Sequence, residues 1–175
     1  TWNLGRPEGA YYQGAYADVI RGIDFLLTRP EVDRERIGVA GTSQGGGIAL
    51  AVAALDPRVK VVVAHVPFLC DVRTAARTEG ALIRTLLDKA GVNDERHLAS
   101  LEHFDPLRLV PNLRAPALLS SGGRDQVCPA ETIRNVFDRI PAVKSLFHDP
   151  DLTHTSSGAF YQQTWAWLDL YLRSR

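Results

Sequence analysis

Short apolar runs alternate along the chain with longer segments in which apolar residues recur every three or four positions. Runs of the first kind predict strands that are buried on both faces, and the longer segments predict amphipathic helices that cover them. Strands are predicted at residues 36–40, 59–66, 117–120 and, more weakly, 144–148; helices are predicted at 11–28, 48–55, 129–139 and 158–172. This alternation predicts an α/β fold with a parallel sheet flanked by helices.

One segment, residues 73–109, breaks the alternation. It holds two helical patterns, at 81–89 and 95–103, without a strand pattern between them. A helical insertion after a strand commonly forms a lid over the substrate site of an α/β protein, and we expect that role here. The alternative is a segment that only covers the sheet. A chain of 175 residues has room for one domain, so we expect residues 1–175 to form a single domain that includes this insertion.

Composition narrows the class of partner. The chain has 20 basic and 20 acidic residues, so no net charge attracts a nucleic acid or an anionic membrane surface. The sequence has neither a signal-peptide-like start nor an apolar run that could span a bilayer, and we expect a cytoplasmic protein that acts on a small molecule. Cys70 and Cys128 lack the spacing of a disulfide scaffold or a zinc site, so we expect them to be packing residues in a reducing compartment.

The sequence GTSQG at residues 41–45 carries the first chemical signal. Ser43 lies at its centre, directly after a predicted strand and shortly before a predicted helix. Such a G-x-S-x-G turn is a nucleophile elbow, which holds the serine hydroxyl above the sheet at the helix N-terminus. We expect glycine to be required at Gly41 and Gly45, because a Cβ atom would strike the neighbouring strand or helix. We therefore predict Ser43 to be a nucleophile; the alternative is an ordinary loop or helix cap.

A serine hydroxyl becomes a strong nucleophile only when a base takes its proton and a carboxylate orients that base. After a nucleophile elbow, the acid and then the histidine follow along the chain at the ends of later strands. Asp125 follows the third predicted strand and is the predicted acid. Asp71, after the second strand, is the alternative, whereas Asp149 and Asp151 lie very near the predicted histidine in sequence.

The chain has 5 histidines that compete for the role of base. His154 lies between the fourth predicted strand and the last helix, and we predict it to be the base because a base needs the freedom of a loop above the sheet. His148 ends the fourth strand and is its rival. The others lie in a buried strand or in the insertion and are expected to be structural: His65, His97 and His103.

Four stretches, with the helix ahead of the elbow, resemble a known enzyme family. The stretches are RIGVAGTSQGGGIALAVAAL, VVVAHVPFLCD, GGRDQVCPAETI and THTSSGAF, and the helix is YADVIRGIDFLLTRPEVDRERIGV. Along nearly its whole length the chain is similar to the acetyl xylan esterases and cephalosporin C deacetylases, which are α/β-hydrolases. The resemblance implies that Ser43 is the nucleophile, Asp125 the acid and His154 the base. It also implies that the backbone N–H of Gln44 is one of two oxyanion donors.

The same resemblance implies a substrate class. Members of the family remove acetyl groups from xylose units of xylan, from short xylo-oligosaccharides and from cephalosporin C, without a metal or an organic cofactor and often as hexamers. The leading prediction is therefore a serine esterase that hydrolyses acetyl or other short acyl esters of carbohydrates or similar small molecules. Pro67 and Phe68, just past the second predicted strand, are either walls for a methyl-sized acyl group or ordinary core residues.

The chain departs from the family pattern in three ways. Thr42 replaces a usual glycine in the elbow, and Thr155 follows the histidine where an acidic residue is common. The resemblance covers roughly the C-terminal half of a family member, so the early strands and the loop with the second oxyanion donor lie outside this sequence. We expect weak or absent activity for this reason, and an open, apolar strand edge that promotes self-association.

Two other functions stay open at this point. Prolyl-oligopeptidase-type peptidases also use Gly-x-Ser-x-Gly-Gly and the same order of acid and histidine, so a serine peptidase is the second enzymatic hypothesis. The third hypothesis is a non-catalytic half-domain that serves in assembly or carbohydrate binding. The presence of Ser43, Asp125 and His154 together favours retained chemistry.

Overall fold

The computed structural model describes residues 5–155 and 157–173, and within them four strands form one parallel sheet. The strands are β1 (Ile37–Thr42), β2 (Val59–His65), β3 (Ala117–Gly122) and β4 (Lys144–Asp149). Their order across the sheet is their order in the chain, and each pairs in parallel with the next. The carboxyl ends of all four strands therefore lie at the same end of the sheet, and the prediction of a parallel α/β sheet is confirmed.

Helices of two kinds surround this sheet. Those that precede, connect or follow the strands are α1 (Tyr11–Leu26), α2 (Gln44–Leu55), α7 (Ala130–Arg139) and α8 (Gly158–Leu172). Between β2 and β3 lie α3 (Val72–Arg77), α4 (Leu82–Lys89), α5 (Glu95–Glu102) and α6 (Pro106–Leu109), followed by a 3₁₀ turn at Val110–Asn112. We call the segment from α3 to α6 the cap. Among the described residues, no helix is long and apolar enough to cross a membrane.

The helices lie on both faces of the sheet. On one face, Phe160 of α8 packs in a small cluster with Val63 of β2 and Leu118 of β3. On the other, Val62 of β2 belongs to the larger core, which also contains residues of α2 and of the cap. Successive side chains of β2 thus point to opposite faces, and both faces are buried. This burial explains why the strand is a nearly continuous apolar run, interrupted by Lys60, rather than an alternating one.

The helix α2, which follows the elbow, is apolar on all sides because it packs against other elements on most of its surface. Leu50, Ala51 and Val52 are fully buried, and the helix contacts β1, β2, α1 and α6. A helix packed on so many sides has little freedom to shift relative to the strand that precedes it. The turn between β1 and α2 is therefore held at both ends.

The cap contains more helix than the sequence pattern predicts. The two predicted helices correspond to α4 and α5, whereas α3 and α6 are additional. With 6 and 4 residues, they are too short to display a helical repeat. Each has an aspartate at its N-cap instead: Asp71 accepts a hydrogen bond from the Thr74 N–H, and Asp105 accepts one from the Leu107 N–H. These caps are the signal that could have revealed the two short helices.

Among the described residues, β1 forms one edge of the sheet. Gly38, Ala40 and Thr42 are exposed there, while Ile37 at the start of the strand is buried. An edge strand presents backbone N–H and carbonyl groups that its own sheet does not pair. The strand that carries the elbow therefore has one neighbour within the sheet, β2.

Candidate active site

Ser43 lies in the turn between β1 and α2, in a backbone conformation that residues other than glycine rarely adopt. Its φ is 54° and its ψ is −117°. The residue is held from both sides: its N–H donates to the His65 carbonyl at 2.8 Å, and its carbonyl accepts from the Phe68 N–H at 2.9 Å. Because these partners belong to the end of β2 and the loop after it, the neighbouring strand fixes the strained turn. The elbow therefore holds the serine side chain at the carboxyl end of the sheet.

Two glycines make room for this turn. A Cβ atom at Gly41 would lie 2.3 Å from the Gly45 carbonyl, and one at Gly47 would lie 2.1 Å from the carbonyl oxygen of Phe68. A Cβ atom at Gly45 would meet no described heavy atom within 4 Å outside its own helix, so the clash expected there is wrong. The close approach joins the first turn of α2 to the loop after β2. It also explains why α2 starts at Gln44, earlier than predicted, since packing outweighs the weak helix propensity of glycine.

Ser43, His154 and Asp125 form a continuous hydrogen-bonded chain. The Ser43 Oγ lies 2.9 Å from His154 Nε2, and His154 Nδ1 lies 2.8 Å from Asp125 Oδ2. The Asp125 side chain is fully buried, whereas the His154 side chain keeps 24% of its surface exposed. These distances suit a base that takes the serine proton while a buried carboxylate orients its ring. The structure thus brings together the three residues that the sequence singles out as nucleophile, base and acid.

Backbone hydrogen bonds join the loops after β3 and β4. The Gly123 N–H donates to the Asp149 carbonyl at 2.8 Å, and the Arg124 N–H donates to the Leu152 carbonyl at 2.9 Å. The loop that carries the aspartate of the chain is therefore held against the loop that carries its histidine. A Cβ atom at Gly122 would lie 2.4 Å from the Leu152 carbonyl oxygen, and one at Gly123 would lie 2.5 Å from that of Pro150, so this alignment requires glycine at both positions.

Each carboxylate oxygen of Asp125 has a separate task. Oδ1 accepts hydrogen bonds from the backbone N–H groups of Val127 and Cys128 at 2.9 and 2.8 Å. Oδ2 faces the ring of His154. One oxygen therefore anchors the loop, and the other orients the imidazole.

Asp71 and His148, the alternative acid and base, form hydrogen bonds with other residues and not with Ser43 or His154 among the contacts of the described residues. Asp71 caps α3 and accepts a hydrogen bond from the side-chain amide of Asn135 at 2.6 Å. His148 Nδ1 lies 2.9 Å from the hydroxyl of Ser121, which belongs to β3. Both residues thus tie structural elements together, as a cap and as a contact between strands.

The other histidines have surroundings that fit the structural roles expected of them. The His65 ring stands edge-on to Phe160 at 4.3 Å, and burial lowers the pKa of His65 below its usual range. His97 Nδ1 lies 2.8 Å from Asp94, the N-cap of α5. His103 is the C-cap residue of the same helix.

Gln44 is the first residue of α2 and the neighbour of Ser43. The first N–H groups of a helix have no acceptor within the helix, so α2 itself leaves the Gln44 backbone N–H unused. The side-chain amide of Gln44 donates to the Tyr12 hydroxyl at 3.5 Å. A negative oxygen that develops beside Ser43 would meet both this N–H and the positive end of the helix dipole.

A cavity of about 400 Å³ opens beside Ser43. Its walls come from the start of α1, the loop after β2, and the cap. Most of the side chains that line it are apolar, among them Tyr12, Phe68, Leu82, Leu86 and Phe104. None of the described lining residues is charged. The cap therefore forms one wall of a predominantly apolar cavity.

Of the two residues expected to form the acyl pocket, Phe68 lines this cavity and Pro67 does not. Pro67 lies against a smaller void beside Cys70 and Cys128, which fits its alternative role as an ordinary core residue. Phe68 borders both spaces, whereas Pro67 borders only the smaller one. Both cysteines are buried and free, and burial raises the pKa of each thiol.

An ion-pair cluster ties three helices of the cap together. Arg73 of α3 contacts Glu95 and Glu102 of α5 through both oxygens of each carboxylate, at 2.6 to 3.1 Å. Arg108 of α6 contacts Glu102 at 2.7 Å. Hydrogen bonds from Arg73 and Arg108 lower the pKa of Glu102 from its usual value. The position of α5, which carries part of the cavity wall, thus depends on side-chain charges.

Asp125, Cys128 and His154 also offer metal-ligating atoms within 4.8 Å of one another. The carboxylate is already hydrogen-bonded to the imidazole, and the imidazole is hydrogen-bonded through its other nitrogen to Ser43. Burial raises the pKa of the Cys128 thiol, which disfavours the thiolate that a metal would bind. Asp125, Cys128 and His154 therefore fit a site in which His154 acts as a base for Ser43 better than they fit a metal site.

Sequence reasoning missed the parts of α1 and α4 that line the cavity. Tyr12 and Tyr16 lie one helical turn apart and both pack their rings near Phe104, at 6.3 and 6.1 Å. Leu82 and Leu86 share one face of α4 in the same way. Their spacing predicts apolar faces but does not indicate that both faces meet beside Ser43.

Comparison with known proteins shows the family to which the chain belongs. The family model described as acetyl xylan esterase (AXE1) matches residues 4–170. Acetyl esterase Axe7A of Xylanibacter ruminicola is 29% identical over 173 residues, which cover 94% of this chain and 38% of that protein. This chain thus spans well under half the length of that relative.

Solved structures share the same fold. An acetyl xylan esterase from Paenibacillus sp. R4 has a TM-score of 0.90 at 28% identity, over 97% of this chain and 56% of that chain. Acetyl xylan esterase 1 from Thermoanaerobacterium sp. has a TM-score of 0.82 at 31% identity, over 91% and 52%. An acylaminoacyl peptidase of Pyrococcus horikoshii, with a TM-score of 0.75 at 22% identity, shares the fold alone. The sheet is thus of the α/β-hydrolase type, and since the family model matches nearly the whole sequence, the chain belongs to the acetyl xylan esterase (AXE1) family.

Proposed function

We propose that this chain carries the catalytic centre of a serine esterase that hydrolyses acetyl or other short acyl esters of carbohydrates or similar small molecules. The observation that carries the proposal is the hydrogen-bonded chain of Ser43, His154 and Asp125 beside an apolar cavity. Membership of the acetyl xylan esterase family supports an ester as the substrate. The names of the relatives support acetyl as the acyl group and a carbohydrate as the alcohol.

In the first half of the reaction, the Ser43 hydroxyl attacks the carbonyl carbon of the ester. His154 Nε2 takes the serine proton, and Asp125 holds the opposite ring nitrogen and stabilises the imidazolium that forms. The carbonyl oxygen becomes an oxyanion beside the Gln44 N–H, at the positive end of α2. His154 then returns the proton to the departing alcohol oxygen, which leaves an acyl group on Ser43.

In the second half, water replaces the alcohol. His154 takes a proton from the water molecule, whose oxygen attacks the acyl carbon, and the second tetrahedral intermediate forms at the same oxyanion position. Collapse of this intermediate returns the proton to the Ser43 oxygen and releases the carboxylic acid. The same imidazole therefore serves both half-reactions.

The test is hydrolysis of p-nitrophenyl acetate by the chain and by matched pairs of variants. Ser43→Ala and His154→Ala are expected to reduce kcat by about 10⁴-fold or more, because each removes a member of the triad. His148→Ala, which changes the same residue type at the rival position, is expected to stay within a few-fold of the unchanged chain. Turnover that survives in Ser43→Ala would exclude the serine as nucleophile.

Substrate class needs a second measurement. Acetylated xylo-oligosaccharides are expected to release acetate in a Ser43-dependent manner. A peptide p-nitroanilide cleaved more efficiently than either ester would contradict an esterase and favour the peptidase hypothesis. The two assays use the same protein sample, so loss of folding cannot explain a difference between them.

A further inference from the structure

The loop after β2, residues 66–71, holds the nucleophile in place. The Phe68 N–H of this loop donates to the Ser43 carbonyl at 2.9 Å, and a Cβ atom at Gly47 would lie 2.1 Å from the Phe68 carbonyl oxygen. Ser43 and the first turn of α2 thus pack directly against the backbone of the loop. A displacement of the loop would therefore displace Ser43.

The same loop has an unusual backbone conformation. Val66, Leu69 and Asp71 have φ values of 37°, 68° and 46°, and Ser43 has a φ of 54°. Within residues 5–155 and 157–173, these four are the only residues other than glycine with a positive φ. Such conformations are sparsely populated for residues with a Cβ atom, so they persist only where surrounding contacts hold them. The loop therefore needs anchors outside its own backbone.

Asp105, at the N-cap of α6, is an anchor at the far end of the loop. Its Oδ1 accepts hydrogen bonds from the N–H groups of Asp71 and Leu107 at 3.0 and 2.8 Å, and its Oδ2 accepts one from the Val72 N–H at 2.7 Å. Asp105 is only 2% exposed. The Asp71 side chain has other partners, so only its backbone N–H makes this contact. One carboxylate thus joins the start of the cap, the end of the cap and the loop.

The surroundings of Asp105 supply hydrogen bonds rather than positive charge. The titratable groups that face it are Asp71 and Cys70 from the loop and Tyr16 from α1. The helix α2 and the 3₁₀ turn, which pack against α6, contain no charged residue. The charged residues of α6 and of α7, which also packs against it, are exposed: Arg108, Glu131, Arg134, Asp138 and Arg139. Backbone N–H groups are therefore the main partners of this carboxylate.

Only the ionised form of Asp105 can accept hydrogen bonds at both oxygens. A protonated carboxyl carries a hydrogen on one oxygen, and that hydrogen would face a backbone N–H. Burial raises the pKa of Asp105 from 3.8 to about 6, because removal from water outweighs the three N–H donors. All three bonds are therefore made at pH 7 and above, and at least one is weakened as the pH falls through about 6.

We propose that Asp105 is a positioning residue for the nucleophile Ser43. It holds the N–H groups of Asp71 and Val72 and thereby fixes the loop, and the loop fixes Ser43 through Phe68. The proposal rests on the proposed function, in that Ser43 is the nucleophile. Asp105 acts through the loop, since no contact among the described residues joins it to Ser43. The cap thus supports the nucleophile as well as lining the cavity.

The first test is Asp105→Asn. The amide oxygen can still accept, but the amide nitrogen would face a backbone N–H, so at least one of the three bonds is lost. The kcat for p-nitrophenyl acetate is expected to fall about 10- to 100-fold, because a misplacement of about 1 Å can cost that much. Asp56→Asn is the matched control: Asp56 is also buried, at the C-cap of α2, and pairs with Arg58. This variant is expected to keep kcat within a few-fold, and an equal loss in both variants would overturn the proposal.

Amide hydrogen exchange, measured by NMR, separates positioning from a general loss of stability. In Asp105→Asn, the protection of the Phe68 N–H is expected to fall at least about tenfold relative to that of Val63, a core residue of β2. Global unfolding exposes both N–H groups together, so their ratio reports local opening of the loop. Asp56→Asn is expected to leave the ratio unchanged. An unchanged ratio in Asp105→Asn would overturn the proposal.

A pH titration followed by NMR tests the same link without a change at Asp105. The His154→Ala variant is used, so that protonation of the proposed base does not contribute. The amide resonances of Val72 and Phe68 are expected to shift together, with a midpoint at about pH 6. A shift confined to Val72, or no shift at either residue, would show that the loop does not transmit the change and would overturn the proposal.

The activity and NMR measurements fail independently. Absence of Ser43-dependent hydrolysis by the unchanged chain would overturn the proposed function, whereas the exchange and titration results would still decide whether Asp105 holds the loop against Ser43. Hydrolysis that persists unchanged in Asp105→Asn would leave the esterase standing and overturn the positioning role.

Discussion

The two walls of the active-site cavity are built by different physical means. The catalytic wall is held by backbone contacts: Ser43 bonds to main-chain atoms at the end of β2, and Gly47 packs directly against the carbonyl of Phe68. The cap wall is held by side chains, through the apolar face of α4 and the ion pairs between Arg73 and Glu102. In the proposed mechanism, the first wall positions the reacting atoms, and the second shapes the space around them.

This difference explains why one wall is marked by a sequence motif and the other is not. Close backbone packing, at which even a Cβ atom on Gly41 or Gly47 would overlap a carbonyl group, leaves almost no choice of residue, so it produces a short motif such as that around Ser43. Apolar packing accepts many residues of similar size, so the cap wall carries no motif. Catalysis is therefore expected to be sensitive to single changes in the first wall, and specificity to be adjustable in the second.

The largest expected effect tests the catalytic wall. In Asp125→Asn, the amide oxygen can still accept from the loop N–H groups, but the amide nitrogen would face His154 and favour the wrong tautomer. The kcat for p-nitrophenyl acetate is expected to fall by about 10⁴-fold without loss of folded structure. Asp71→Asn, at the alternative acid, is the matched control and is expected to change kcat less than tenfold. Stopped assays measure kcat, and near-ultraviolet circular dichroism measures the folded structure. An equal loss of kcat in Asp125→Asn and Asp71→Asn would contradict the assignment of Asp125 as the acid.

The next effect concerns the glycines of α2. Gly47→Ala would place a Cβ atom 2.1 Å from the Phe68 carbonyl oxygen, and we expect it to lower the free energy of unfolding by about 3 kcal/mol. Gly45→Ala meets open space and is expected to raise the same quantity by about 0.5–1 kcal/mol, because alanine is the better helix former. Urea unfolding of both variants measures the difference. Similar stabilities would show that backbone contact does not hold this wall.

A smaller effect tests the ion pairs of the cap. Glu102 has a pKa below its usual value of 4.5 in the folded protein, so its pairing stabilises the fold above about pH 4.5 and the contribution is lost as the pH falls through the folded pKa. Glu102→Gln is expected to lower Tm by about 2–4 °C at pH 7 and to match the unchanged chain near pH 3. Glu35→Gln, in an exposed pair with Lys60, is the control and is expected to have no effect. A deficit for Glu102→Gln that persists unchanged at pH 3 would argue against the ionic origin.

The smallest effect concerns the outer edge of the catalytic wall. We propose that β1 associates weakly with a second copy of the chain, since it is an edge strand among the described residues and alternate positions are exposed. Sedimentation velocity is expected to show a coefficient that rises with concentration, and less so for Ala40→Lys, because a charged side chain at an edge opposes pairing. Val143→Lys, at an exposed position outside the strands, is the control. A concentration-independent monomer in the unchanged chain would contradict the proposal.

Residue by residue, the sequence and the structure agree best where the signal is local. The strand β2 is rich in β-branched residues and lies within one residue of its predicted end. The weakly predicted β4 is also present, and α8 spans the predicted residues 158–172. In contrast, α3 and α6 are too short to show a helical repeat in the sequence. The start of α2 consists of glycines, which have a weak helix propensity, and their helical conformation depends on packing against the loop after β2.

By itself, the sequence determined the α/β class, the elbow at Ser43 and the order in which acid and base follow it. These follow from spacing within short segments and from the rule that parallel strands end on one side, both of which are local. Only the tertiary structure decided between Asp125 and Asp71 as the partner of His154, removed Pro67 from the pocket, and brought α1 and α4 together beside the nucleophile. Those outcomes depend on contacts between residues far apart in the chain, and no periodicity or motif within one segment specifies them.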